Sequence, residues 1–210
     1  MKNNKQTITL LFTALVILSS LITSCNSKEN TKQESKVKYK HDEPYAQKVN
    51  DGSIANDDYI GSIQRTSVGK VDSLRVRINY GSPGVRKRTI WGKLVPYDSL
   101  WVTGANTATS IEFSEAVHIE GRKIPAGKYA LFTIPGRKEW TIIFNKDFQQ
   151  HLTDDYDQKK DVTRFLVKPD SLVKPVLRLT YTIEKVNAST VEISMAWEKL
   201  KISFSAEVEK

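Results

Sequence analysis

Leu74-Arg75-Val76-Arg77-Ile78-Asn79-Tyr80 alternates apolar and polar side chains without a break. Successive side chains of an extended strand point to opposite faces, so this register turns Leu74, Val76, Ile78 and Tyr80 to a core and Arg75, Arg77 and Asn79 to water. A helix would scatter the same residues around its circumference. The stretch predicts a half-buried strand.

The same period recurs downstream at Trp140, Ile142 and Phe144, at Leu177, Leu179, Tyr181 and Ile183, and at Val191, Ile193, Met195 and Trp197. A last strand alternates Leu200, Ile202, Phe204 and Val208 against Lys201, Ser203, Ser205 and Glu207. Shorter candidates lie at residues 110–113, 117–119, 128–134 and 162–167, giving about nine strands at sandwich-like spacing. Gly121, Gly127, Pro135-Gly136 and Pro169 punctuate them as turns. Helix is scarce, confined to a polar excursion at residues 147–160. The predicted fold is all-β, an antiparallel β-sandwich, with a jelly roll among the topologies open to it.

Upstream of the strands the chain changes character twice. Residues 1–24 read as a secretory signal: Lys2 and Lys5, an apolar run from Ile8 to Ile22, then Thr23 and Ser24. A run of about 15 residues at ~1.5 Å each covers ~22 Å, short of the ~30 Å a spanning helix must cross. Ile22-Thr23-Ser24-Cys25 resembles the bacterial lipobox, which implies a diacylglycerol on the Cys25 thiol and cleavage before it. Cys25 is the chain's one cysteine, so no internal disulfide competes for it. Two or more acyl chains suffice to hold a protein on a membrane. Asn26 stands where an aspartate would retain a lipoprotein in the inner membrane, which favours the outer membrane, on its periplasmic or surface face. Residues 25–61 are expected to be the lipidated cysteine and a flexible polar tether, since isolated apolar residues such as Val37 and Val49 bury too little to offset ordering. Residues 62–210 are expected to be one β-sandwich domain.

The formal net charge is +8, and about +6 without Lys2 and Lys5. Only Arg86-Lys87-Arg88 is a tight basic cluster, and base-stacking motifs are absent, so the excess reads as solvated surface and not as a nucleic-acid site. His41, His118 and His151 are the only histidines, and none pairs at ligand spacing, so no metal and no cofactor are expected. Asp154, Asp155 and Asp157 lack the glycine and distal glutamate of a calcium loop. No Gly-x-Ser-x-Gly elbow or Ser-x-x-Lys motif is present, and no catalytic residue is assigned.

Residues 89–109, TIWGKLVPYDSLWVTGANTAT, interleave Trp91, Tyr97 and Trp101 with Gly92, Pro96, Gly104 and Asn106. With Arg86, these aromatics and Asn106 are the candidate ligand-binding residues, because ring faces stack on apolar surfaces while amides fix polar groups. The alternative is that the rings plug the end of the sandwich core. Both readings stay open at this point.

Ile78-Asn79-Tyr80, the run from Ile90 to Tyr97, the run from Trp101 to Asn106, the run from Ile124 to Pro135 and the run from Trp140 to Asn145 resemble domain-of-unknown-function family 2911, an uncharacterised bacterial envelope family. The resemblance covers the chain from Ser62 to the C-terminus and implies a fold and an address, with no reaction, cofactor or catalytic residue to transfer. Members commonly carry arginine after the first tryptophan of the Trp-x-Thr-Gly-Ala-Asn motif, where this chain has Val102, which implies an altered site. The sequence thus favours a non-catalytic module that binds an envelope glycan, a small ligand or a protein, or that serves assembly. The alternative is a hydrolase or other enzyme with a dispersed site in residues 86–109.

Overall fold

In the computed structural model, which describes residues 42–209, Leu74, Val76, Ile78 and Tyr80 are all buried while Arg75 and Arg77 face water. That strand is one of ten among the described residues: β1 (Ile63–Val71), β2 (Leu74–Ser82), β3 (Thr109–Phe113), β4 (Val117–Ile119), β5 (Arg122–Ile124), β6 (Gly127–Pro135), β7 (Trp140–Asn145), β8 (Asp161–Val167), β9 (Asp170–Lys185) and β10 (Thr190–Val208). They form two sheets, ordered β1-β2-β3-β6-β7-β8 and β5-β4-β10-β9, with every strand pair antiparallel. The protein is an all-β sandwich of six strands against four, where a jelly roll divides eight strands between two sheets.

Local chemistry sets the turns. β4 and β5 are joined by Glu120-Gly121, both at positive φ (47° and 70°), the two-residue hairpin turn whose twist matches the strands. β10 was read from the sequence as two strands because its alternation changes phase between Trp197 and Leu200. The cause is a bulge: the register against β9 shifts on either side of Glu198, which sits at φ 55°. Two steps along β10 span four of β9 before Glu198 and five after it, and this irregularity swaps the faces without ending the strand.

The two sheets meet through a continuous core that includes Trp140, Trp197, Phe113 and Phe144. Each such ring withdrawn from water stabilises the fold by about 2–3 kcal/mol. The edges of the sandwich are closed by side chains. On one side Arg65 and Ser67 of β1 donate to Leu179 and Tyr181 carbonyls of β9, at 3.1 and 2.8 Å. On the other, Arg122 of β5 donates to the Arg164 carbonyl of β8 at 2.5 Å. Edge carbonyls that would invite another strand are thereby occupied.

The expected tether needs correction from Asp42 onward. Residues Glu43–Asp51 form a helix, α1, with Asp42 as its N-cap, Pro44 in its first turn and Gly52 closing it at φ 91°. Tyr45, Ala46 and Val49 are buried against Ile54 and Ile63. The apolar content that looked too thin is concentrated on one face, and the polar residues are fixed by pairing. Glu43 makes a two-pronged bond to the buried Arg65 guanidinium at 2.7 and 2.5 Å. The Asn50 amide bonds both the N–H and the carbonyl of Arg178, at 2.7 and 3.0 Å, as a neighbouring strand would. The segment expected to be a signal, Cys25 and His41 lie outside the described residues. Of the polar excursion, only Gln158–Lys160 is helical, a 3-10 turn capped by Asp157.

Candidate functional site

The connection from β2 to β3 carries residues 83–108 across one end of the sandwich, and its sequence explains its path. Gly92 takes φ 79° in a tight turn closed by Gly92 N–H to Val95 carbonyl (2.8 Å) and Val95 N–H to Ile90 carbonyl (2.9 Å). A side chain there would also meet the Tyr97 ring at 2.9 Å. Trp101 then pairs with Thr133 of β6 like a short strand, through bonds of 2.8 and 3.0 Å.

Thr103 sits at φ 52°, a left-handed conformation unfavourable for a β-branched residue. Three hydrogen bonds hold it there: its hydroxyl donates to the Thr133 hydroxyl at 3.1 Å, and its carbonyl accepts from the Thr109 and Tyr181 hydroxyls at 3.0 and 2.9 Å. Gly104 is required because a Cβ would stand 2.6 Å from the Thr109 hydroxyl. Burial raises the Tyr181 phenol well above its ordinary pKa, so that hydroxyl stays a donor.

All four tryptophans of the chain gather beneath this connection. Trp101 stacks on Trp197 with centroids 5.9 Å apart at 21°, and Trp91 meets Trp140 edge-on at 4.9 Å and 64°. The Trp101 indole N–H donates to the Gly104 carbonyl at 3.1 Å. The buried N–H groups of Trp91, Trp140 and Trp197 have no oxygen acceptor. Edge-to-face rings offer them π faces instead.

Beside Trp101 and Trp197 lies a hollow of about 300 Å³. Ile60, Leu94 and Leu152 stand on its rim, 78, 45 and 40% exposed. Arg88 and Asn106 supply its polar side, and no carboxylate lines it. The structure thus brings Trp101 and Asn106 to one cavity and sets Trp91 behind it, in edge contact with Trp101 at 5.9 Å. Tyr97 stands apart, under the Arg137 guanidinium at 4.5 Å. Arg86 turns to another depression and donates to the Ile60 carbonyl at 3.3 Å.

Sequence reading missed Arg88, Trp197 and the aliphatic rim. Arg88 was visible in the basic triplet, but Trp197 reads as ordinary core in its strand, and Leu152 arrives from the polar excursion, whose Leu152 N–H donates to the Asn106 carbonyl at 2.8 Å. A wider depression of about 700 Å³ between α1, β1 and β9 is more open, and its Glu43, Arg65 and Asn50 are committed to one another or to the backbone. Among the described residues no three His, Cys, Asp or Glu side chains converge as metal ligands.

Residues 62–206 match the family described as Protein of unknown function (DUF2911). The chain belongs to that family. No curated protein and no solved structure matches it. The DUF2911 span contains β1 to β9, most of β10 and the tryptophan cluster but begins one residue before β1, so α1 and Asp57 fall outside it, as do Glu207 and Val208, which pair β10 with β4. Val102, at the place of the arginine expected from the resemblance, is buried with Ala108, Ala130, Phe132 and Ile143 and also borders the hollow.

Proposed function

We propose that this DUF2911 protein is a lipid-anchored component of the bacterial envelope, held by Cys25, whose sandwich presents a binding pocket at the tryptophan cluster and performs no chemistry there. The lipobox-like Ile22-Thr23-Ser24-Cys25 supports the anchor. The observation that carries the binding role is the hollow itself: a concave, aromatic-walled site in which three aliphatic side chains meet water together. A purely structural end-plug would have folded Leu94 and Leu152 inward.

The test is thermal denaturation of the purified protein against envelope glycans, sugars, nucleotides, small amphiphiles and metals, repeated with Trp101→Ala and Leu94→Ser. A ligand at a hundredfold its Kd is expected to raise Tm by about 5–10 °C in the parent and by much less in either variant. Leu94→Ser is the safer variant, because a half-exposed rim residue contributes little to folding. A ligand whose shift survives both substitutions places binding elsewhere and sinks the pocket. For the anchor, mass spectrometry of the membrane-extracted protein is expected to show a chain that begins at Cys25 with a diacylglyceryl group on its thiol, and an unmodified Cys25 would refute lipidation.

A further inference from the structure

We infer that the hollow selects a small amphiphile with an anionic head, its apolar body lying against Trp101 and Trp197 and its head held by Arg88; this rests on the pocket reading above and narrows it.

Greasy side chains meet water together at this cavity. Seven large hydrophobic residues are well exposed among the described residues, and three of them, Ile60, Leu94 and Leu152, ring this one cavity. The other four, Val68, Leu166, Val173 and Val186, do not line it. Convergence of three on a cavity already walled by two indoles leaves water there with few partners, and an apolar body displaces it favourably. A sugar ring fits less well. It needs several polar groups aimed at its hydroxyls, and the side chains available are Arg88, Asn106 and Ser62.

The charged half concerns Arg88. Its guanidinium donates to the carbonyls of Val85 and Gly84, which carry no charge. The acid that favours its charge, Asp57, is bound through Oδ1 to Arg178 at 2.6 Å and makes no hydrogen bond to Arg88. Arg86 and Lys87 precede it, and burial together with Arg86 and Arg178 disfavours its charged form. No Asp or Glu lines the cavity to relieve this. An anion arriving from solvent would meet a cation with no carboxylate bonded to it, next to an apolar floor.

The probes are decanoate, decyl phosphate and decan-1-ol, each below its micellar concentration, titrated into the purified protein with indole fluorescence and Tm as readouts. At least one of the two anions is expected to bind saturably and about tenfold tighter than decanol, the gain of one charge-assisted hydrogen bond. Arg88→Gln is expected to erase that preference and leave decanol unchanged. Which anion binds better separates a fatty-acid source from a phospholipid source. Equal affinity for decanol and both anions, or a preference that survives Arg88→Gln, overturns the anionic head while Leu94→Ser sensitivity keeps the pocket. If none of the three binds and a glycan or nucleotide does so in a Leu94-dependent way, the amphiphile is wrong and the pocket stands. If no ligand of any class depends on Leu94 or Trp101, the pocket reading fails with it.

Discussion

Arg178 has no accessible surface at all. Its two terminal nitrogens donate to the carbonyls of Tyr59, Gly61 and Ser82 at 2.7, 3.0 and 3.1 Å and to the Asp57 carboxylate at 2.6 Å, with the Tyr45 and Tyr59 rings flanking it and its Nε–H left without a hydrogen-bond partner. Of the groups bonded to it, only Asp57 balances its charge. Removing one member of such a pair strands the other in a medium that cannot solvate it. Asp57→Ala is therefore expected to cost about 3–5 kcal/mol in urea denaturation, while Arg86→Gln, a neighbouring surface cation, stays within about 0.5 kcal/mol. A loss under about 1 kcal/mol for Asp57→Ala would show that water reaches the guanidinium. At this same scale the candidate site was half legible. Trp101 and Asn106 stood out because aromatics and turn residues crowd one short stretch; Arg88 borders that stretch, whereas Trp197 and Leu152 come from two distant segments and join it only through the fold.

At the scale of elements, α1 decides where the domain begins. A chain starting at Ser62, the edge of the family match, loses the burial of Tyr45, Ala46, Val49 and Ile54 together with the carboxylates that answer Arg65 and Arg178. The combined loss is on the order of the whole stability of a domain of this size, so that chain is expected to lack a cooperative thermal transition and near-ultraviolet circular dichroism. A chain starting at Lys38 is expected to match the full protein in both. A native-like transition from the Ser62 chain would mean the two buried arginines find other partners. Strands with a clean apolar period, such as β2 and β7, were legible because one of their faces is wholly apolar. β1 was not: between Ile63 and Val71 its inward positions are Arg65, Ser67 and Gly69, and the Arg65 and Ser67 side chains reach the β9 edge in place of packing a core. α1 was missed for the same reason, since Glu43 and Asn50 help to dock it through hydrogen bonds to Arg65 and Arg178, which a hydrophobic pattern does not see. Its Asp42, Pro44 and Gly52 punctuation was the available signal.

Across the whole molecule, tyrosine hydroxyls fasten the joints between elements. Tyr45 ties α1 to Asp57 and Asp58 at 2.9 Å each, and Tyr156 ties its loop to Asp161 of β8 at 2.8 Å. Tyr80 and Tyr181 pack edge to face at 4.8 Å between the sheets, and Tyr129 donates to the Pro125 carbonyl at 2.8 Å. Burial raises all five phenols, with Tyr45 and Tyr156 pushed up to about 12 by burial and by the carboxylates they donate to. The unfolded chain releases these protons near pH ~10 and the folded chain does not, so above that pH the unfolded state binds fewer protons and stability falls as pH rises. The contribution is fully present below about pH 10 and drains away towards pH 12. The urea midpoint is expected to be insensitive to these groups up to about pH 9 and then to drop steeply, with tyrosinate absorbance from the buried rings rising in the same step as loss of the native circular dichroism. Tyr45→Phe is expected to flatten part of that drop while lowering stability at neutral pH, because it removes both the titrating proton and the two bonds it makes. Tyrosinate absorbance that reaches its full amplitude before the native signal is lost would show that these hydroxyls are open to solvent and that the seams between sheets, helix and loop are held by packing alone.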